Sequence, residues 1–263
     1  MKSNKLREFI REIQYVNRNP QDNRVLSLLE DTSTNPEIYL EKGTELFRSR
    51  IISDRKHTNK EKGFFGYGSK DSFVPPREKT SDMRANYRYI PYLYCSAHRY
   101  ISIIEVRPRF GAEVSVATIK VQDELKLLDF TMQKHTRKIV ATKKNLFEDL
   151  SELFSKPIAN SDDMLDYIPT QYIAEYAKNL GYDGISFKSS LYTGVLDDIE
   201  TSDIDAGGFY PRINIVIFNY DKCIPVASNV YKIADSYLEC EQIDADVQRQ
   251  LILSPVSEAL RDL

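Results

Sequence analysis

The run Ile213-Asn-Ile-Val-Ile-Phe218 is apolar on both of its alternating faces. A strand of that kind must be covered on both sides, so it reads as the centre of a sheet with further layers around it. Leu46–Ile52, Pro91–Cys95 and Gly184–Phe187 are short apolar runs that can pair with it. Residues 113–121 and 124–130 are rich in Val, Ile and Leu, and the intervening Gln122-Asp123 predicts a hairpin. Helical spacing appears at Leu6, Phe9, Ile10, Ile13 and Val16, then at Val25, Leu28 and Leu29 before Pro36, and at Ala97, Ile101 and Ile104 before Pro108. Two more helices are predicted, one near 144–155 and one opening at Pro169 and running to Gly181, which caps it in a left-handed conformation. Strands and helices follow no regular alternation, so the predicted class is α+β. The domain reading is a helical N-terminal extension over 1–43, a main domain over 44–232 and a polar, helical tail over 233–263. Residues 53–82 read as a long polar loop, of a kind that is usually functional or mobile.

Charge and cysteine usage narrow the partners. Lys and Arg total 36 against 39 Asp and Glu, so no bulk positive field draws the chain to nucleic acid. Cys95, Cys223 and Cys240 are odd in number and far apart, which fits neither a disulfide framework nor a zinc site and implies a reducing compartment. No window approaches the roughly 20 apolar residues of a membrane span, so a cytoplasmic protein without a membrane partner is expected. The acidic run Asp197–Asp205 reads as a solvated insertion, and no metal site is expected. His57, His98 and His135 are scattered, Cys95 reads as a core thiol, and Gly63–Gly68 lacks the spacing of a dinucleotide-binding turn.

The most informative stretch is Arg84-Ala-Asn-Tyr-Arg-Tyr-Ile-Pro-Tyr-Leu-Tyr-Cys95, followed by a helix that ends Ile104-Glu105-Val-Arg-Pro108. Glu105 falls at the edge of a buried helix face, where a carboxylate needs either a partner, such as Arg107 or Arg109, or a ligand. Arg48 and Arg50 share a strand face by alternation. They form either an exposed edge that discourages aggregation or the floor of an anion-binding cleft.

These segments, in this order, resemble one family. Glu45-Leu-Phe-Arg48-Ser-Arg50, Arg84-Ala-Asn86, Ile90-Pro-Tyr-Leu-Tyr94, Ile104-Glu105-Val-Arg-Pro108, Tyr167-Ile-Pro-Thr-Gln-Tyr-Ile-Ala-Glu175, Gly181-Tyr-Asp-Gly-Ile-Ser-Phe-Lys-Ser189-Ser190 and Asn214-Ile-Val-Ile-Phe218 are similar to the RES domain, the toxin half of RES-Xre toxin-antitoxin pairs. The likeness covers roughly residues 44–220. The sequence departs from it in one loop, where the family commonly carries Gly-Gly-Arg-Trp-Asn-Pro: Asp82-Met83 replaces the glycines, Ala85 the Trp and Tyr87 the Pro.

The resemblance implies an ADP-ribosyltransferase-like fold, with a mixed or antiparallel sheet core and surrounding helices. It implies NAD as substrate rather than bound cofactor, and a cognate antitoxin as partner; a homo-oligomer stays open. It makes Arg48, Tyr94 and Glu105 the catalytic constellation, with Arg84, Asn86, Arg50 and Ser189 or Ser190 as substrate-binding residues. The chemistry suits these types. Cleaving the nicotinamide-ribose bond passes through a cation-like sugar that a carboxylate stabilises. An aromatic face can hold the cationic ring, and an Arg the pyrophosphate. The expected activity is NAD glycohydrolase or phosphorylase. ADP-ribosyl transfer to a protein and an inert binding scaffold are the alternatives. Ile103 stands where many arginine-modifying transferases carry Glu or Gln, which argues mildly against that subtype.

Overall fold

The protein is described from a computed structural model covering residues 2–21, 24–58, 61–132, 139–156, 164–189, 191, 212–234, 237–240 and 251–254. The elements in chain order are α1 (Asn4–Tyr15), α2 (Arg24–Glu30), β1 (Glu37–Leu40), β2 (Glu45–Ile51), α3 (Ser69–Ser72), β3 (Leu93–Ser96), α4 (Arg99–Glu105), β4 (Glu113–Val121), β5 (Leu125–Asp129), α5 (Ala141–Ser155), α6 (Met164–Asn179), β6 (Gly184–Lys188), β7 (Ile213–Ile217), β8 (Cys223–Lys232), β9 (Tyr237–Cys240) and β10 (Leu251–Ser254). The architecture is α+β, as expected. Eight strands form one mixed sheet in the order β1-β5-β6-β7-β3-β2-β4-β8, parallel only between β5 and β6. The doubly apolar β7 lies inside it, all five residues buried.

The hairpin expected between β4 and β5 does not form. The two strands exist, but β4 pairs with β2 and β8, and β5 with β1 and β6. Five strand positions separate them in the sheet order, a lateral distance of about 24 Å if the sheet were flat. The chain from Val121 to Leu125 spans at most about 14 Å. The sheet therefore curls until its two ends meet. Leu40, Leu125 and Leu127 from one end share a core with Leu46, Ala117 and Ile119 from the other.

The opposite face is covered by helices. Leu6, Phe9 and Ile13 of α1, Phe147, Leu150 and Phe154 of α5, and Ile173, Ala174 and Ala177 of α6 pack with Ile185, Phe187, Val216 and Phe218. The segment read as an N-terminal extension thus supplies part of this core and, through β1, an edge of the sheet. Helix α6 begins at Met164, five residues before the expected start, and carries Pro169 inside it. Proline removes the amide that would bond to the carbonyl four residues back. Gln14 Nε2 donates to that Leu165 carbonyl instead, at 2.8 Å. The helix closes as expected at Gly181, φ +87°, with Tyr182 N donating to Ala177 O and Gly181 N to Lys178 O.

Two further expectations need correction. Tyr237–Cys240 and Leu251–Ser254 in the C-terminal segment are extended and pair antiparallel rather than forming a helix; backbone pairing and the strand-favouring Leu251-Ile-Leu253 run outweigh the polar character of the tail. Residues 53–82, in their described part, are a packed strap. Phe65 N donates to Ser228 O at 2.8 Å, Tyr67 N to Ser115 Oγ at 2.9 Å, and Phe64 and Tyr67 are buried. The acidic run 197–205 lies outside the described residues, among which no helix is long and apolar enough to cross a membrane.

The strap fits because of Gly66, where an added Cβ would lie 2.2 Å from Ser115 Oγ and 2.8 Å from Ser115 Cβ. Gly66→Ala is expected to destabilise the protein by about 1–3 kcal/mol through this overpacking, read as a lower midpoint in urea unfolding.

Candidate active site

Glu105 is the last residue of α4, whose cap is His98: its Nδ1 accepts from Tyr100 N at 3.2 Å. Ser49 and Ser102, their hydroxyls 2.7 Å apart, fasten the helix to β2. Glu105 Oε1 accepts from Ser189 Oγ at 2.5 Å, just past β6, and from Asn214 Nδ2 at 2.6 Å, on β7. Neither Arg107 nor Arg109 supplies these contacts. Asn214 Oδ1 in turn accepts from Ser96 Oγ on β3 at 2.8 Å. Oε2 takes no hydrogen bond among the described residues. A carboxylate at a helix C-terminus faces the negative end of the helix dipole. The two donors on Oε1 offset that field and leave the other oxygen presented.

Tyr94 stands on the same face of β3 as Ser96. Its hydroxyl donates to Asn86 Oδ1 at 2.8 Å and accepts from Ala85 N at 3.0 Å, so it anchors the loop that carries Arg84. Burial pushes its phenol pKa upward. Arg84 donates to the carbonyls of Leu153 at 3.1 Å and Lys156 at 2.6 Å, tying the loop to the end of α5. Burial pushes its guanidinium down from the ordinary value, opposed by the nearby Tyr167 and Glu105. Asn86 is buried, and its Nδ2 donates to Ser81 O and Tyr87 O, both at 3.0 Å.

The register separates Arg48 from this group. Phe47 pairs with Ser96, and paired residues share a face. Arg48, one residue on, therefore points to the opposite face, where its β4 partner Ala117 belongs to the core enclosed by the curled sheet. It is half-buried, donates from Nη1 to Tyr94 O at 3.1 Å, and its enclosed Nε has no partner. Burial lowers its pKa. Arg50 is exposed, lies 4.9 Å over the Tyr67 ring and donates to Asp71 O. Ser190 lies outside the described residues; Ser189 is the serine that reaches Glu105. Cys95 is a buried thiol with its pKa raised by desolvation.

Residues 58–224, more than half of the chain, match the RES domain. The chain belongs to the RES-domain family. Among solved structures, one similar to it is described as the crystal structure of the M.tuberculosis MbcT-MbcA toxin-antitoxin complex, at 14% identity and a TM-score of 0.43, over 80% of this chain and 94% of that one. No curated protein matches. The RES match spans Tyr94, Glu105, Ser189 and Asn214 and begins after Arg48.

Within the RES match, the loop that lacks the family's common glycines is held by other means. Gln171, buried on α6, donates from Nε2 to Met83 O at 3.0 Å and Asn86 O at 2.9 Å. Asp82 Oδ1 accepts from Arg88 N at 3.0 Å, and Met83 N donates to Asn86 O at 3.0 Å. Ala85, where Trp is frequent in RES domains, is fully buried in the helical core. Sequence reasoning missed Gln171, Ser96 and Asn214. A signal existed for the last: Asn214 is a polar residue within the apolar run of a central strand, where a buried amide needs partners.

Tyr94→Phe leaves the Ala85 amide and Asn86 Oδ1 without this partner. Its expected cost is about 1–3 kcal/mol, with faster amide hydrogen exchange concentrated in the 82–90 loop and little change in β6 and β7.

Proposed function

We propose that this RES-domain protein consumes NAD by cleaving the nicotinamide-ribose bond, with Glu105 as the catalytic carboxylate and water or inorganic phosphate as acceptor. The observation that carries the reading is the clamped Glu105: Oε1 is held by Ser189 and Asn214, and Oε2 has no protein partner among the described residues. In the cleavage, the electron pair of the breaking C–N bond leaves with nicotinamide, which departs neutral without a general acid. The sugar then carries the positive charge. A fixed carboxylate oxygen facing that carbon stabilises the charge, or holds a ribose hydroxyl, without reorganising. Arg84 is proposed to bias the site beside Glu105 toward the anionic part of NAD, and the Tyr94 ring to border the nicotinamide side.

The choice of acceptor rests on Ile103. Two residues before Glu105, it is buried with Val114 and Val116 and offers no polar group to a guanidinium acceptor. This supports a small acceptor over transfer to a protein arginine. A cognate antitoxin that restrains the activity belongs to the same proposal, from the family resemblance.

The deciding experiment incubates the protein with NAD labelled on both halves, with and without phosphate and cell lysate. Free nicotinamide with soluble ADP-ribose or a phosphorylated ribose product is the expected result; protein-bound label would assign a transferase, and no reaction a scaffold. Glu105→Gln, which removes charge with little change of shape, is expected to lower turnover at least about 100-fold while the protein stays folded; near wild-type turnover would make Glu105 structural. For Arg48, which the register turns to the face opposite Glu105, a pyrophosphate contact is proposed from the family resemblance alone. Calorimetry should then show Arg48→Ala weakening NAD binding more than Arg50→Ala. Equal and negligible effects would confine Arg48 to holding the Tyr94 carbonyl.

A further inference from the structure

Glu105 is connected to a second layer of side chains that no substrate needs to touch. Ser96 Oγ donates to Asn214 Oδ1 at 2.8 Å, and Asn214 Nδ2 donates to Glu105 Oε1 at 2.6 Å. Ser96 and Asn214 are 3% and 8% exposed, so water does not stand in for either contact. They are register partners on adjacent antiparallel strands, Ser96 on β3 and Asn214 on β7. An amide side chain can sit in two orientations related by a half-turn, one donating and one accepting toward a given neighbour. Facing a carboxylate, the accepting orientation sets oxygen against oxygen. The carboxylate, an acceptor only, selects the orientation with Nδ2 toward Glu105, and the Ser96 hydroxyl, donating to Oδ1, holds the amide there from the far side.

We propose that Ser96 and Asn214 are positioning residues for the reaction at Glu105: Ser96 holds the Asn214 amide from its far side, and the amide holds Oε1 so that Oε2 faces the reacting carbon. The assignment rests on the NAD-cleaving reading above. The polar pair occupies one face of two core strands whose other face is apolar, filled by Leu93, Cys95, Ile213, Ile215 and Ile217. A purely structural pairing at that position could be met by two apolar side chains at no cost in buried polar groups. Retaining a hydroxyl, an amide and a carboxylate in series has a physical rationale if the carboxylate must be held in one orientation.

The full-length protein tests this. Asn214→Leu keeps approximate volume and removes both ends of the amide. It is expected to lower kcat by about 10- to 100-fold, the range of a lost hydrogen bond to a charged group, while KM and the Kd for NAD change by less than about threefold. Ser96→Ala should lower kcat by a smaller factor, and Ser96→Thr, which keeps the hydroxyl, should restore most of it. Adding Ser96→Ala to Asn214→Leu should lower kcat no further, because the two act in series. Unchanged kcat in folded Asn214→Leu, or losses in Ser96→Ala and Ser96→Thr that merely track thermal stability, would overturn the proposal.

A readout independent of turnover separates this from the NAD reading. The Asn214 side-chain amide, followed by NMR, should show one downfield proton that moves upfield in Glu105→Ala, and faster amide rotation in Ser96→Ala, with the backbone spectrum retained. If the amide behaves so but no acceptor supports NAD turnover, the NAD reading fails and the positioning pair stands. An amide that ignores both substitutions removes the pair whether or not NAD is consumed.

Discussion

The three residues between Val121 and Leu125 set the shape of this molecule. They join strands that lie five positions apart in the sheet order, and so short a link forbids a flat sheet. Curling encloses one apolar face as a core of its own and leaves the other for helices α1, α2, α5 and α6. The division decides which residues can meet. Tyr94, Ser96 and Asn214 fall on the helix-covered side, while Leu93, Cys95, Ile213 and Ile215 fall inside the curl.

The candidate site grows from that division. Two core strands, the end of a third and one short helix bring a carboxylate, an amide and two hydroxyls together from positions up to 118 residues apart. The supports are ordinary packing elements put to a second use. The imidazole of His98 caps α4, Ser102 ties it to β2, and Gln171 on α6 clamps the Arg84 loop in place of the glycines that are common there in the family. Sites supported by regular elements hold their geometry better than sites on loops. Here the presented oxygen of Glu105 sits on a helix end, while Arg84 and Asn86 come from a loop that hydrogen bonds with Tyr94 and Gln171 tie to β3 and α6.

Arg48 shows how the same fold can separate residues that adjoin in sequence. Its neighbours Phe47 and Ser49 pack toward α4, and Arg48 itself turns into the curled side. A one-residue step along a strand reverses the face. Strand alternation correctly placed Arg48 and Arg50 on a common face, but could not say which side of β3 that face would occupy.

Local signals in the sequence were therefore sufficient for most elements. The doubly apolar Ile213–Phe218 run identified a central strand, 3.6-residue spacing marked α1 and α4, and Gly181 marked the end of α6. The order of segments pointed to the family, and Glu105 stood out as a carboxylate at the margin of a buried face. Tertiary structure alone decided what those elements join. A hairpin turn between β4 and β5 was locally reasonable, yet pairing with β2, β8, β1 and β6 overrode it. Pro169 looked like a helix start until Gln14, from a distant helix, took the carbonyl it strands. Ser96 and Asn214 became partners of Glu105 only through register. Periodicity is a property of a few neighbouring residues and survives in one dimension; pairing, face and register depend on contacts across the chain, and are settled only when the sheet closes.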